Sequence, residues 1–447
     1  MKNEIKLNDG QKAMIAKVAE FLKGNKTALL VKGNAGTGKT TCARVVAENA
    51  VKSGFCKHKD VLLIAPTHKA VDVIKEKCKG FSGSTLHSAV YHYNKRHHCF
   101  IPKTGRELKA RLVICDEASM VGDSSSGRLL TDLLNLGKKA GAKIIFLGDN
   151  WQLPPVGRVF LDVWGYFKSF SDIAELTQVM RQSSGSEILT YANSLRLDED
   201  VYIPSESRGE VEVISGHDLC RGYVMTLRKG EDAQLICWTN KKRIASNRWV
   251  RERLTSSPFY VPEAGDKALV IGNQLKGDFF NGDSIVLGKD FRVLGKARFV
   301  MVTKSKTKKI KEVCVPCMMG ETPVLFFPET EQPSIYNSSI ELQNVPDEFK
   351  HKESGNKCPK EVLNDDVVIA TYGYAITAHK SQGSQWNTVY IGECQMMNSL
   401  EDQSKWLYTA VTRAAKKVVI NESMLGRKKS WQEMDEKFST IAITIAC

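Results

Sequence analysis

The stretch Gly33-Asn34-Ala35-Gly36-Thr37-Gly38-Lys39-Thr40 decides the fold of this 447-residue chain. It matches the pattern GxxxxGK[ST], and it stands between a short apolar run, Ala28–Val31, and a helical stretch that begins at Thr41. A strand before this pattern and a helix after it form the context in which it binds nucleotide phosphates. The stretch therefore predicts an α/β fold built around a phosphate loop, and not a chance match in a glycine-rich turn.

The residue types in this loop fit the binding of a magnesium nucleotide. Glycines let backbone N–H groups curl around the β- and γ-phosphates, and the start of the following helix adds a positive dipole. Lys39 is expected to neutralise phosphate oxygens and Thr40 to ligate Mg²⁺, so the predicted cofactors are ATP and Mg²⁺. The loop residues predicted to bind the nucleotide are Gly33, Asn34, Ala35, Gly36, Thr37, Gly38, Lys39, Thr40 and Thr41.

A second apolar run, Leu112–Cys115, ends in two adjacent carboxylates. Asp116 is expected to hold Mg²⁺, and Glu117 to accept the proton of the attacking water. An isolated Asp-Glu pair after a strand is uninformative. Together with the upstream loop, however, the pair predicts hydrolysis of the nucleotide.

Further apolar runs indicate two α/β cores, because 447 residues exceed the length of one ordinary domain. Val61–Ala65 and Ile144–Leu147 end at polar turns, as parallel strands do beside a ligand. A second block begins at Gln234–Trp238 and resumes only after a long interruption of short β-rich runs, which we interpret as a small inserted barrel. The strands predicted after the interruption are Val367–Ile369, Val389–Ile391 and Val418–Ile420.

Composition narrows the functional classes. The net charge of +14 and the pI near 9.1 favour a polyanionic partner without naming it. The 12 cysteines show no framework spacing, which is typical of reduced thiols in the cytoplasm, or in a host cytoplasm for a phage-encoded protein. We expect no membrane association, because no signal peptide and no apolar run of about 20 residues is visible.

Several more motifs follow one another in a specific order. They are Ala65–Ala70, Ser84–His87, Asp116–Met120, Gly148–Val156, Arg181 after Leu176-Thr177, Thr377–Ser384 and Tyr408–Ala414. In this order they resemble the motifs of superfamily 1 DNA helicases over nearly the whole chain. The resemblance is closest to the branch of RecD-like, Pif1-like and phage Dda-type enzymes.

This resemblance implies roles for residues on the nucleotide side. Gln152 is expected to reach the γ-phosphate, and Arg181 and Arg413 resemble the two arginine fingers of the family. With Lys39 and Glu117 they complete the predicted catalytic set.

The resemblance also bears on the base and the sugar of the nucleotide. Gln11 resembles the glutamine that reads the adenine edge, although an ordinary exposed helix residue is the alternative. Gly383 resembles a nucleotide-binding glycine, but Gln385 stands where relatives often carry a ribose-binding Glu. Trp151 either stacks on a base or packs between the cores.

On the DNA side, hydroxyls, imidazoles and backbone N–H groups are expected to hold a strand without reading its sequence. The basic, aromatic segment Tyr91–Phe100 resembles the small hairpin at the duplex fork, with Phe100 covering the exposed base pair and Tyr93 behind it. A zinc site at His97, His98 and Cys99 is the rival interpretation. The predicted DNA-binding residues are Pro66, Thr67, His68, Thr85, His87, Phe100 and His379.

The fold that the resemblance implies is α/β, with two tandem RecA-like parallel-sheet P-loop domains. The first domain covers residues 1–83 and 112–182 and carries a β-hairpin insertion at 84–111. The second covers 183–255 and 364–447 and carries an SH3-like β-barrel insertion at 256–363.

The implied function is an ATP-dependent DNA helicase that moves 5′-to-3′ on single-stranded DNA in replication, repair or recombination. Its predicted partners are single-stranded and forked duplex DNA, with single-stranded-DNA-binding or replisome proteins as further candidates, and it is expected to be a monomer. A translocase that strips proteins from DNA is the alternative. A small-molecule kinase is disfavoured by the second core, and a passive nucleic-acid-binding module by the hydrolytic set.

Overall fold

The computed structural model describes residues 7–94, 99–125, 127–155, 157, 159–168, 173–176, 186–196, 209–272, 279, 281–294, 298–303, 309–331, 340–341, 367–392 and 400–424. Contacts along the chain separate two compact units. Unit 1 comprises Met1–Ser186 with Gln382–Ser384, and unit 2 comprises Glu187–Ser381 with Gln385–Cys447. Within the described ranges, every helix is too short or too polar to cross a bilayer.

Unit 1 is built on a six-stranded sheet in the order β11-β1-β9-β6-β2-β3, and all of its neighbouring strands pair in parallel. Two smaller antiparallel sheets, β4-β5 and β10-β7-β8, accompany it. The strands are β1 (Ala28–Gly33), β2 (Val61–Ala65), β3 (Ser82–Thr85), β4 (Tyr91–Asn94), β5 (Cys99–Pro102), β6 (Leu112–Cys115), β7 (Gly122–Ser124), β8 (Gly127–Arg128), β9 (Lys143–Gly148), β10 (Val159–Asp162) and β11 (Ile173–Leu176).

Helices cover both faces of the six-stranded sheet. Successive residues of β1 show this, because Val31 packs with the helices that follow β1 and β2 whereas Leu30 packs with the later helices. Both faces are therefore buried, which explains why the central strands are continuous apolar runs. The helices are α1 (Asp9–Lys23), α2 (Lys39–Lys52), α3 (His68–Lys77), α4 (Leu86–Val90), α5 (Leu129–Ala140) and α6 (Val163–Phe167), with short 3-10 turns at His58–Asp60 and Ala118–Met120.

Unit 2 contains a parallel five-stranded sheet, β12-β24-β23-β13-β22, and an eight-stranded mixed sheet. Its helices are α7 (Glu187–Ser194), α8 (Gly216–Arg228), α9 (Asn240–Leu254), α10 (Ala378–Ser381) and α11 (Leu400–Val411), and a 3-10 turn at Glu422–Met424 follows. Its strands are β12 (Val211–Ile214), β13 (Ala233–Cys237), β14 (Lys267–Val270), β15 (Ser284–Val286), β16 (Phe291–Val293), β17 (Arg298–Thr303), β18 (Lys309–Met319), β19 (Thr322–Phe326), β20 (Ile340–Glu341), β21 (Val368–Tyr372), β22 (Ala375–Thr377), β23 (Trp386–Ile391) and β24 (Ala414–Asn421).

The strand β21 corrects one assignment made from sequence. Val367–Ile369 was expected in the second parallel core, but β21 pairs antiparallel with β14 and parallel with β19 in the mixed sheet. All five residues of β21 are buried. A run that is buried on both faces has the same pattern in either sheet, so the pattern could not place it. The mixed sheet thus includes residues beyond position 363, where the predicted insertion ends.

A buried ion pair ties α9 to the mixed sheet. Arg251 is 0% exposed, and its Nε donates to both carboxylate oxygens of Asp266 at 3.1 and 3.0 Å. Its other nitrogens donate to backbone carbonyls, including Val261 O at 2.6 Å. The hydroxyl of Tyr374 donates to the same carboxylate at 2.6 Å, and the Tyr372 ring lies 5.0 Å from the guanidinium. The charge is therefore compensated on every side.

Replacing Arg251 should leave the Asp266 carboxylate buried without its counter-ion. We expect Arg251→Met, which keeps most of the side-chain volume, to lower the free energy of unfolding by about 3–5 kcal/mol. Arg253→Met is the matched control on the exposed side of the same helix. It should change stability by less than about 1 kcal/mol in denaturant titrations. Equal effects of the two variants would contradict this account.

Candidate functional site

Two kinds of constraint require glycine in the phosphate loop. Gly36 and Gly38 both have φ near +81°, a left-handed conformation that side chains other than glycine rarely adopt. Gly33 is required by space, since a Cβ there would lie 2.8 Å from Thr37 Oγ1 and 3.0 Å from Leu176 Cβ. The loop is therefore shaped by its glycines and packed closely against β11.

The loop presents its cation and its hydroxyl at the start of α2. Lys39 Nζ donates to the carbonyls of Gly33 at 2.6 Å and Asn34 at 2.9 Å, so the ammonium group lies inside the loop. Thr40 Oγ1 donates to Asp116 Oδ2 at 3.1 Å. The structure thus brings together the two residues predicted to ligate Mg²⁺. A hydroxyl beside a carboxylate supplies the hard oxygen ligands that Mg²⁺ prefers, so these residues fit the ion.

The two carboxylates at the end of β6 differ in their surroundings. Asp116 is 7% exposed, and its Oδ1 accepts the backbone N–H of Glu117 at 2.9 Å. Glu117 has φ 52° and ψ 44°, and within the described ranges it is the only residue other than glycine with positive φ. This left-handed conformation costs about 1–2 kcal/mol. Strain of this kind is characteristic of functional turns.

The turn after β9 carries the motif Gly148–Val156. Asp149 is 1% exposed and organises the turn, because its Oδ1 accepts the N–H of Trp151 and its carbonyl accepts the N–H of Gln152, both at 3.1 Å. Gln152 is buried, whereas Trp151 is half-buried. Gln382, which belongs to unit 1, donates from Nε2 to Leu153 O at 3.3 Å. We did not predict Gln382 as a site residue, although its position beside Gly383 was an available signal.

Gln11 is buried and is not an ordinary exposed helix residue. It belongs to a capping box in which Asn8 Oδ1 accepts Gln11 N at 2.8 Å and Asn8 N donates to Gln11 Oε1 at 3.1 Å. Its Nε2 donates to the carbonyl of Thr37 at 3.1 Å. The amide therefore ties the start of α1 to the phosphate loop.

The predicted DNA-side residues of unit 1 follow β2 and β3. Pro66, Thr67 and His68 come after β2, and Thr67 caps α3 through its Oγ1, which accepts Ala70 N at 3.2 Å. Thr85 ends β3 and caps α4 in the same way. Burial lowers the pKa of His68, and the carboxylate of Asp72 partly opposes this shift. A neutral His68 can accept as well as donate a hydrogen bond at neutral pH.

Phe100 is not a core residue. Its side chain is 47% exposed, and its ring centroid lies 6.2 Å from that of Tyr91 and 6.1 Å from that of His87. Tyr91 in turn donates its hydroxyl to Asp132 Oδ2 at 2.7 Å. Phe100 therefore lies exposed on β5 beside the ring of Tyr91, which the hydrogen bond to Asp132 holds in place.

Some of the remaining predicted site residues lie in unit 2, and others lie outside the described residues. Arg181, His97 and His98 lie outside the described residues, as does the Tyr93 side chain. Within the described ranges, no group of three or more His, Cys, Asp and Glu side chains is arranged to hold a metal ion. His379 lies on α10 of unit 2. Arg413 lies in unit 2 and is 6% exposed, with its Nε donating to Thr409 O at 3.1 Å.

Comparison with known proteins agrees with this geometry. The model of an AAA domain matches residues 6–214, and that of a UvrD-like helicase C-terminal domain matches residues 372–421. The ATP-dependent RecD2 DNA helicase of Deinococcus radiodurans is 32% identical over 403 residues, which cover 89% of this chain and 47% of that protein. The ATP-dependent DNA helicase dda of phage T4 is 28% identical over 277 residues, which cover 58% of this chain and 60% of that protein. The chain belongs to the superfamily 1 helicases, with RecD-like and Dda-type relatives.

This confirms the family predicted from the motif order. The superfamily 1 chain spans about half of the length of these two curated relatives, at 47% and 60%. Among solved structures, it resembles the Pif1 helicase from Candida albicans with a TM-score of 0.49 and 18% identity, over 96% of this chain and 100% of that chain.

Two substitutions of Glu117 separate the chemical role of its carboxylate from the free-energy cost of its left-handed backbone. Glu117→Gly should abolish ATP turnover while raising the free energy of unfolding by about 0.5–1 kcal/mol, because relief of the left-handed conformation exceeds the entropy cost of glycine. Glu117→Gln keeps the strain and should lose hydrolysis at unchanged stability and nucleotide affinity. Calorimetry, nucleotide titration and phosphate release would measure these effects. Loss of stability in Glu117→Gly would contradict the assignment.

Proposed function

We propose that this protein is an ATP-dependent DNA helicase that moves 5′-to-3′ on single-stranded DNA and separates duplex DNA at a fork. The observation that carries the proposal is the hydrogen bond between Thr40 and Asp116, 76 residues apart, with the strained Glu117 beside it. This arrangement supplies metal ligands and a general base at one end of the parallel sheet. It fits an enzyme that hydrolyses a nucleotide and does not merely bind it.

Hydrolysis follows from the positions of these groups. Lys39 neutralises the β- and γ-phosphate oxygens, and Thr40 and Asp116 would hold Mg²⁺, whose charge stabilises the triphosphate. Glu117 takes a proton from the attacking water while the water oxygen bonds to the γ-phosphorus. The bond between the γ-phosphorus and the bridging oxygen breaks at the same time, which leaves ADP and phosphate. By resemblance, Gln152 senses the γ-phosphate. Arg413 and Arg181 would stabilise its charge as the two RecA-like domains close.

The DNA substrate is supported by residues on the same edge of the unit 1 sheet. Thr67, His68, Thr85 and His87 lie at or just after the ends of β2 and β3, which run parallel to the strands of the nucleotide site. Hydroxyls and imidazoles suit contacts with phosphates and sugars. The two relatives named above are DNA helicases by name, which supports DNA as the polymer. We include in the same proposal an SH3-like insertion, a monomeric state and a cytoplasmic location. Its candidate protein partners are single-stranded-DNA-binding and replisome proteins.

Tailed duplexes provide the test of the function and of its direction. We expect ATP turnover to rise when single-stranded DNA is added, and forked or 5′-tailed duplexes to be unwound in preference to 3′-tailed ones. The polarity rests on the resemblance of Leu153-Pro154-Pro155-Val156 to the third motif of the 5′-to-3′ branch. Unwinding of 3′-tailed substrates alone would place the protein in the opposite branch. ATP turnover that DNA does not change would remove the motor function.

Phe100 distinguishes a helicase from a translocase that only displaces proteins. Because its ring is half-exposed and lies beside Tyr91 and His87 on the hairpin, Phe100→Ala should leave thermal stability, DNA-stimulated ATP turnover and translocation unchanged while unwinding falls. Ile101→Ala is the matched control, since Ile101 is 44% exposed on the neighbouring position of the same strand. Assays of all four properties on both variants decide between the roles. Unwinding that survives in Phe100→Ala would show that this hairpin is not the element that separates the strands.

A further inference from the structure

Two buried side-chain oxygens lie without a hydrogen-bond partner on the two turns of the nucleotide site. Ser119 follows Glu117 by two residues and is 1% exposed, and no partner for its Oγ exists among the described residues. Asn150 precedes Gln152 by two residues, and its Oδ1 is also buried and unpartnered in the described part of the chain. Native proteins keep few such atoms, because an unpaired buried polar group is destabilising.

The two turns are in contact. They leave adjacent parallel strands, since Cys115 at the end of β6 is the partner of Phe146 in β9. A Cβ placed on Gly148 would lie only 3.1 Å from the Cβ of Ala118, the neighbour of Ser119. Glycine at position 148 therefore allows the turn of Glu117 and the turn of Gln152 to pack directly against one another.

The two unpaired groups are chemically complementary. A serine hydroxyl donates a hydrogen bond, and an asparagine carbonyl oxygen accepts one. One hydrogen bond between them would satisfy both atoms and would join the turn that holds the general base to the turn that holds the γ-phosphate sensor. The close approach of Gly148 to Ala118 brings the two turns together, as such a bond requires.

We propose that Ser119 and Asn150 are positioning residues that become hydrogen-bond partners when ATP occupies the phosphate loop. The bond holds Glu117 in place for the attacking water only when Gln152 has engaged the γ-phosphate. This inference rests on the proposed ATPase function and assigns a role to two residues outside the predicted nucleotide-binding and DNA-binding sets. Their contribution lies in the catalytic step and not in the affinity for ATP.

A double-mutant cycle tests the pair. Ser119→Ala and Asn150→Ala should each lower the DNA-stimulated kcat by about 3- to 10-fold, the range that one neutral hydrogen bond supplies, and leave KM for ATP unchanged. The double variant should be no slower than either single one. Thermal stability should not fall, because neither oxygen has a partner to lose in the nucleotide-free protein. If Ser119→Ala does not fold, Ser119→Cys, with similar volume and a weaker donor, takes its place in the cycle.

A buried hydroxyl far from the nucleotide site in sequence provides the control for this cycle. Thr371→Val removes another buried hydroxyl without a partner in the described residues, on β21 of unit 2, and should leave kcat unchanged. Single variants with wild-type kcat, or a double variant whose loss is the product of the single losses, would overturn the proposed bond. A wild-type protein without ATP turnover would instead overturn the proposed function.

Discussion

The parallel pairing of β1, β9 and β6 is the constraint on which the candidate site depends. Val31 pairs with Leu147, and Cys115 pairs with Phe146, so the three strands end at the same edge of the sheet. Segments that are far apart in sequence therefore meet there. The bond between Thr40 and Asp116 is one consequence of this register. A shift of one residue would turn each strand's side chains to the opposite face and separate the two metal ligands.

The same sheet tolerates local features that would otherwise be unfavourable. Glu117 is held in a left-handed conformation immediately after a strand whose four residues are all buried. The cost of about 1–2 kcal/mol is small compared with the burial of that strand, at about 1.5–3 kcal/mol for each large apolar side chain. A rigid, fully buried support is what allows a strained turn to keep one geometry. In unit 1, the strain of Glu117 and the unpaired oxygens of Ser119 and Asn150 accordingly lie in the turns that follow β6 and β9.

The central strands of unit 1 could be predicted because burial on both faces makes them short apolar runs. Val61–Ala65 and Leu112–Cys115 were predicted with the bounds that the structure shows. The edge strand β3, Ser82–Thr85, was not predicted, since a polar and partly exposed strand lacks that signal. The pattern also failed for β21, where burial in the mixed sheet resembles burial in a parallel one. Pattern therefore identifies a buried strand but does not identify its sheet.

Site residues whose role follows from their side-chain chemistry could be predicted from the sequence. Contacts between side chains and the backbone could not be predicted. The bond from Gln11 to the carbonyl of Thr37 depends on where α1 packs, which no local pattern encodes. Net charge has a similar limit. Arg243 and Arg251 are 3% and 0% exposed, so part of the positive charge compensates internal groups and is not available to DNA. Net charge alone does not distinguish surface arginines that bind DNA from buried arginines that hold a loop. The case for a nucleic-acid partner consequently rests on the motif order and on the residues at the ends of β2 and β3.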